Sequence, residues 1–357
     1  MDWIADKNAV AAVVTEYLEP VAGKNGSFYP PTYADHGYVI SGAVALIDSV
    51  QSQANRLEAI FTEDEYAKLV PQILIKEEGG VTNLISIGHR LADAAVLYSS
   101  ASPIASAAFE AAQRDDFTPL AKVNPTALLL GVWDSRRTSV KIQRALGFSV
   151  DANGVTNVFD RAAQYRASID PKTKAMLQAH HGSTEDGSER KTRSKMSEEG
   201  FNDITSFDEG KGGVIAKEIV RTGVLNLSAL RKYNEPLRDY LLGLGLVMLT
   251  YPLNHDYRSG TLLVQDAAQP PKIEVVYRNG KREPITLTHK EALAFAQEAA
   301  KTFGVGENRE FVLTQTTYKQ FQKAEKLDRT EKVEEKSEAT EPKAAKEKKS
   351  NPASVKA

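Results

Sequence analysis

The chain contains no cysteine, which excludes a disulfide framework, a thiolate zinc site and a cysteine nucleophile. It has no apolar run of the ~18–20 residues that a bilayer-spanning helix needs. The longest candidate, 241–253, is interrupted by Gly243 and Gly245 and ends beside Pro252. Its opening, MDWIADKNAV, has neither the basic start nor the apolar stretch of a signal peptide. These absences point to a cytoplasmic protein that does not engage a membrane. A phosphate-binding glycine loop is missing as well, because EGKGG at 209–213 lacks the spacing of a P-loop or dinucleotide motif. The six histidines, at 36, 89, 180, 181, 255 and 289, show no metal-ligand spacing beyond the adjacent pair His180-His181. No metal and no cofactor is expected. An excess of basic residues is lacking too. Lys and Arg number 45 against 47 Asp and Glu, for a formal charge of −2 and a pI near 6.4, whereas a free-standing nucleic-acid binder is usually basic. A polyanion-binding face would therefore depend on sorting, with basic residues on one surface and acids elsewhere. Acids do gather apart, at 63–65, 77–78, 115–116 and 185–189.

What is present begins with 357 residues, 41% of them hydrophobic, enough for one elaborate domain or two modest ones. Apolar spacing predicts a helix over 8–18 and a buried strand over 38–47. Further along it predicts a strand over 72–76, a helix marked by Ile87, Leu91, Ala94 and Tyr98, and an alanine-rich helix capped by Ser102. Strand and turn are expected at 148–158, and a mostly β-prone stretch at 214–227. A helical stripe of Leu230, Tyr233, Leu237, Leu241 and Leu244 follows, with Ser228 as its cap. Residues 262–265 and 273–277 are expected to pair as strands, and Asn279-Gly280 signals a hairpin into 284–287. Thr288 caps a last helix over 290–303, and 310–316 reads as one more strand. Two stretches can build no core: a polar insertion at about 178–213, and a Lys/Glu-rich tail at 323–357. The insertion is expected to be mobile and the tail disordered. Strands and helices alternate without a regular βα rhythm, and hairpin signals recur. That pattern favours an α+β fold with a mainly antiparallel sheet.

The most informative string is DSVQSQANRLE at 48–58. Asp48 or Ser49 opens a helix as N-cap, with Gln51 completing a capping-box pattern behind Asp48. Val50, Ala54, Leu57 and Phe61 make the core stripe. The other face carries Ser49, Ser52 and Arg56 on one line and Gln51 and Asn55 on the next. A solvated helix ordinarily shows Lys and Glu there. Amides, hydroxyls and a guanidinium instead donate to phosphate oxygens or ribose hydroxyls, and a helix start adds free backbone N–H groups. The bland alternative is a capped helix whose amides satisfy neighbouring loops.

A second string, NPTALLLGVWDSRRTSVKIQR at 124–144, reads as a strand over 126–133, a polar turn, and an alternating arm. It is a hairpin with Arg136 and Arg137 at its tip and Lys141 and Arg144 down the second arm, an electrostatic footprint for a nucleic-acid backbone.

SVQSQANRLE, KVNPTALLLGVWDSRRTSVK and the later VLNLSALR together resemble the backbone subunit of type I CRISPR Cascade. The subgroup is I-G (formerly I-U), within the RAMP superfamily, the Cas-seven family and its Csb-one subgroup. The likeness runs in order from about residue 42 to about residue 249. It implies an RRM-like (ferredoxin-like) core with large insertions. It also implies a non-catalytic subunit that oligomerises along the spacer part of a guide RNA. The partners are then the guide RNA, the target DNA paired to it, further copies of the chain and other Cascade subunits. Under this reading Ser49, Gln51, Ser52, Gln53, Asn55 and Arg56 grip phosphate and ribose. Arg136, Arg137, Lys141 and Arg144 add charge along the backbone, and Asn226, Ser228 and Arg231 supply a second helix-start contact. The alternative is a RAMP-type, metal-independent RNA endonuclease that processes guide precursors. Its candidates are His180-His181, poorly held in a polar loop, and Asp48. His89-Arg90 is open to either RNA contact or structural pairing.

Overall fold

The computed structural model of the chain describes residues 2–33, 37–158, 176, 213–313, 317–320 and 323. The expected insertion and tail, with His180-His181, lie outside the described residues apart from Gly213 and Lys323. The chain divides into two compact units. The first comprises Met1–Leu69, Leu128–Gly131 and Gln143–Val305; the second comprises Val70–Ala127, Val132–Ile142 and Gly306–Ala357. Helices and strands are mixed, and the fold is α+β, as expected.

The first unit is built on nine strands: β1 (Ala9–Pro20), β2 (Ile40–Ser41), β3 (Val44–Asp48), β4 (Leu146–Asn153), β5 (Glu218–Asn226), β6 (Asp256–Arg258), β7 (Thr261–Gln265), β8 (Lys272–Tyr277) and β9 (Arg282–Ile285). They form one sheet in the order β6-β7-β1-β5-β4-β3-β2, with β8 pairing β1 and β9. Every ladder in it is antiparallel. Its longer helices among the described residues are α1 (Val50–Ala59), α2 (Leu237–Thr250) and α3 (His289–Phe303). In chain order β1, α1, β4, β5, α2 and β8 alternate as strand, helix, two strands, helix, strand, and the four strands lie side by side as β8-β1-β5-β4.

The helix expected over 8–18 is in fact β1, the central strand. Val10, Val13, Val14 and Thr15 are β-branched and fit a pleated surface. The strand pairs β5 along one side and β8 then β7 along the other. A strand enclosed in this way carries an almost continuous apolar run, which periodicity cannot separate from a buried helix. The same geometry corrects the expected pairing of 262–265 with 273–277. Those strands, β7 and β8, occupy successive parts of one edge of β1 instead. The run at 38–47 is likewise folded back on itself at Gly42, whose φ of 60° suits only glycine readily, so that β2 pairs β3.

Cross-strand partners share a face, which places Phe148, Gly223 and Val14 together. On that face Leu146, Phe148, Val150, Ile219, Leu225, Ala12 and Val14 are buried. α1 and α2 cover it. α3 then lies on α2 at Gly243, where a Cβ would meet the Ala296 Cα at 2.8 Å. The expected stripe from Leu230 to Leu244 is split: a one-turn helix, Leu227–Leu230, precedes α2, and its cap is Asn226 rather than Ser228. α3 begins as expected, with Thr288 and Glu291 forming a reciprocal capping box.

In the second unit, Ile73–Glu77 pairs antiparallel with Gly80–Asn83 and parallel with Arg309–Val312. The helix expected at 87–98 is replaced by tight turns at Leu84–Ser86 and Arg90–Ala92 and a short helix, Ala94–Leu97; Arg90 there is buried at φ 53°. The helix Ser102–Gln113 has Ala101 as its cap and Ser102 as its first residue. Of the strand expected at 126–133 only Val132–Trp133 forms, pairing Lys141–Ile142. Thr126–Leu130 is helical, because Pro125 suits a helix start, Asn124 donates to the Thr126 hydroxyl at 2.9 Å, and leucines are strong helix formers. Among the described residues no helix is long and apolar enough to cross a membrane.

Gly223 sits where a Cβ would lie 2.5 Å from Phe148 Cδ1 and 2.7 Å from Val14 Cγ1, both in the core. Gly223→Ala is expected to destabilise the protein by about 1–3 kcal/mol through overpacking. Equilibrium denaturation checks this, and a variant as stable as the parent would contradict the packing of this face.

Candidate nucleic-acid interface

α1 starts at the end of β3, and its N-cap is Ser49, whose hydroxyl accepts from the Ser52 N–H at 3.3 Å. Asp48 does not cap. It is 2% exposed and accepts from Gln53 Nε2 at 2.7 Å, so it serves the interior. The capping box expected between Asp48 and Gln51 is accordingly not formed. Gln51 is exposed instead and donates to Asn55 Oδ1 at 2.8 Å, one helical turn on. It also accepts from Arg144 Nη2 at 2.8 Å. Arg144 is exposed, and its Nε donates to the Leu130 carbonyl at 3.0 Å.

These contacts make one polar chain, Asn55–Gln51–Arg144. The next residue, Ala145, accepts through its carbonyl from the Asn226 N–H at 2.7 Å. Asn226 is exposed and caps the following turn, its side chain accepting from Ala229 N–H at 2.9 Å. The start of α1, the start of β4 and the end of β5 therefore meet at one end of the sheet, with Val50 Cγ1 3.4 Å from where a Gly147 Cβ would be. Ser228, also exposed, neighbours Arg231 Nη1 at 3.5 Å. Arg231 itself is only partly exposed. Its Nη2 donates to the Asp6 carbonyl at 2.7 Å and the Ala9 carbonyl at 2.5 Å, holding the start of the chain. Burial, then the nearby Arg278 charge, lower its pKa. The only acid on α1, Glu58, is 1% exposed. The solvent edge of α1 thus offers amides and hydroxyls beside one guanidinium and no carboxylate.

Two residues of the expected grip turn the other way. Gln53 is fully buried: its amide donates to Asp48 and its carbonyl accepts from Arg221 Nε at 2.8 Å. Arg56 lies 3.3 Å from Asp48 Oδ2 and donates to the Asp256 and Tyr257 carbonyls at 3.3 and 2.9 Å, with its guanidinium 5.0 Å from the Tyr257 ring centre. It ties α1 to β6. Arg221, which sequence reading missed, is fully buried beneath α1. Its Nη1 donates to Glu16 at 2.5 Å, and it lies 4.3 Å from the Phe148 ring centre. A signal for it was available, since Ile219, Arg221, Gly223 and Leu225 alternate onto the core face of β5. Tyr257 and His255 complete the cluster, with His255 Nδ1 2.9 Å from the Tyr257 hydroxyl.

The second unit carries the basic hairpin. Arg136 is exposed at its tip and Lys141 on its second arm. Arg137 folds inward, donating from Nη1 to the Ser102 and Ser106 hydroxyls at 2.7 Å each and from Nη2 to the Leu97 carbonyl at 3.3 Å. His89 is exposed beside the buried Arg90. Among the described residues no group of His, Asp and Glu is placed to hold a metal ion.

Residues 12–157 match the family described as CRISPR-associated protein GSU0053. That stretch contains α1 and its amides, Arg144 and the whole hairpin. No curated protein matches the chain. Among solved structures, a chain of a "CRISPR RNA-guided surveillance complex, pre-nicking" is similar at 13% identity. The alignment covers 83% of this chain and 89% of that one, with a TM-score of 0.32, too low to define a shared fold.

The cluster under α1 sets a pH dependence. Burial, and then the charge of Arg221, push His255 down from 6.5 to about 4. The folded protein therefore keeps a neutral imidazole that the unfolded chain protonates first. The stability it contributes is complete above pH 6.5 and is lost as pH falls toward 4. His289, also lowered by burial, acts with the same sign. Denaturation across this window is expected to show falling stability, with a shallower fall in His255→Asn. An unchanged slope in that variant would contradict the buried placement of His255.

Proposed function

We propose that this protein is a guide-RNA-binding backbone subunit of a type I CRISPR complex. In this reading several copies lie along one guide RNA, without cutting it, and leave its bases free to pair with target DNA. The observation that carries the reading is the solvent edge of α1, where Asn55, Gln51 and Arg144 form one hydrogen-bonded chain with no exposed carboxylate on the helix. Such a surface donates to phosphate and ribose without reading bases. The family match over residues 12–157 supports a CRISPR role. The order β8-β1-β5-β4 supports the RRM-like core expected from the sequence. Type I-G and the Csb-one grouping are the finer form of the same proposal.

The residues assigned to RNA contact are exposed, except Ser49 and Ser52, which are half-buried at the start of α1. Gln51, Asn55 and Arg144 belong to the first unit, with Ser49, Ser52, Asn226 and Ser228 beside them. Arg136 and Lys141 belong to the second. Gln53, Arg56, Arg137 and Arg231 hold the scaffold on which these stand. Asp48, buried and bonded to Gln53, is poorly placed for the endonuclease alternative.

Single-stranded RNA binding by the purified full-length protein is expected to weaken with log salt at ~0.7 per phosphate contact. Arg144→Ala should reduce that slope by about one contact while shifting stability by less than about 1 kcal/mol, as befits an exposed side chain. Arg56→Ala should instead lower the melting temperature, because it releases β6 from α1. Binding that ignores salt, or an Arg144→Ala protein that binds RNA like the parent, would contradict the assignment. Defined cleavage of repeat RNA without metal would favour the endonuclease.

A further inference from the structure

Trp133 is 59% exposed, on a two-residue strand beside the basic tip of the hairpin. An indole presents a large apolar face with a polar edge, the kind of side chain that binding surfaces use. Its surroundings indicate what it binds. Lys141 Nζ stands 5.3 Å from the ring centre, and Arg136 is exposed at the tip between the two strands. The one acid of 132–142, Asp134, is 1% exposed and turned inward. Its Oδ2 accepts from the Thr138 N–H at 3.0 Å and the Thr138 hydroxyl at 2.7 Å. The Asp134 N–H in turn donates to the Val140 carbonyl at 2.9 Å.

These bonds close the loop, with Ser139 at φ 59°, and Arg137 fastens it to the helix Ser102–Gln113. The indole is thus held on a stapled tip whose outward charges are both positive. A ring face flanked by fixed cations is complementary to a base joined to phosphates: the base stacks, and the ammonium and guanidinium meet the backbone. The open ring face beside two outward cations, with the acid withdrawn, favours a nucleic-acid strand over an apolar protein surface.

We propose that Trp133 is a base-stacking platform for single-stranded RNA, with Lys141 and Arg136 holding the adjoining phosphates. This deepens the RNA-binding reading above and rests on it. Stacking on one ring tolerates any base, so it adds affinity without sequence preference.

The chain has two tryptophans, Trp3 and Trp133, so full-length protein carrying Trp3→Phe reports on Trp133 alone. Titration with oligoadenylate is expected to quench its emission, whereas inorganic polyphosphate, which has charge but no bases, should not. Trp133→Ala should weaken oligoadenylate binding by roughly 5- to 150-fold with little change in melting temperature, and Trp133→Phe should restore much of the loss. If RNA binds the Trp3→Phe protein with emission unchanged, and Trp133→Ala binds as tightly as the parent, the platform is wrong while the RNA-binding reading stands. If Trp133→Ala instead loses self-association at unchanged RNA affinity, Trp133 is a protein contact and the proposal falls. If the parent binds no RNA at all, both readings fall together.

Discussion

The first unit is organised around a charge in the wrong place. Arg221 lies on the core face of β5, fully buried, between the sheet and α1. Taking a guanidinium out of water costs several kcal/mol unless its hydrogen bonds and its charge are answered. Glu16 from β1 and Gln53 from α1 answer two of its nitrogens, and its guanidinium carbon lies over the Phe148 ring. Its remaining terminal nitrogen has no acceptor among the described residues. Because each partner comes from a different element, the ion fixes the position of α1 over β1, β4 and β5 at once. Gln53 extends the network to Asp48, and Asp48 to Arg56 and so to β6. This buried polar network sets the register in which the helix presents its outer edge.

The same network bears on the acidic balance of the chain. Asp48, Glu16 and Glu58 are acids whose charges are turned into the interior or its margin. Removing them from the surface of α1 leaves amides, hydroxyls and Arg144 facing solvent. In the hairpin, Asp134 is withdrawn in the same way, leaving Arg136 and Lys141 outward. A formal charge of −2 is thus compatible with local surfaces free of carboxylate. Sorting of charge between inside and outside matters here more than its sum.

Much of the fold was legible where local chemistry decides the outcome. The helix cap at Thr288, the turn at Asn279-Gly280 and the strands β4 and β5 form where their residues indicate. The readings that failed did so where tertiary pairing overrides local pattern. β1 looks helical because both its edges and one face are covered, and nothing in 9–20 announces that β7 and β8 will share one edge of it. Thr126–Leu130 went the opposite way, because leucine runs satisfy either period and Asn124 with Pro125 starts a helix. In the candidate site, exposed Gln51, Asn55 and Arg144 were legible from spacing and composition. The inward turn of Gln53, Arg56 and Arg137 was not, since it depends on partners mostly far away in sequence: Arg221 for Gln53, the carbonyls at 256–257 for Arg56, and groups at 97, 102 and 106 for Arg137. Arg221 was passed over because an arginine in a strand reads as solvent-facing until its alternation with Ile219 and Leu225 is weighed.

We propose that RNA contacts the outer edge of α1 in the first unit and, separately, the hairpin tip in the second. Ultraviolet crosslinking of single-stranded RNA to the full-length protein, with crosslinked peptides mapped by mass spectrometry, tests it directly. Crosslinks are expected within the segments that carry Gln51 and Asn55, Arg144, and Trp133 with Arg136. Efficient crosslinking confined to other segments, with these left unmodified, would contradict it.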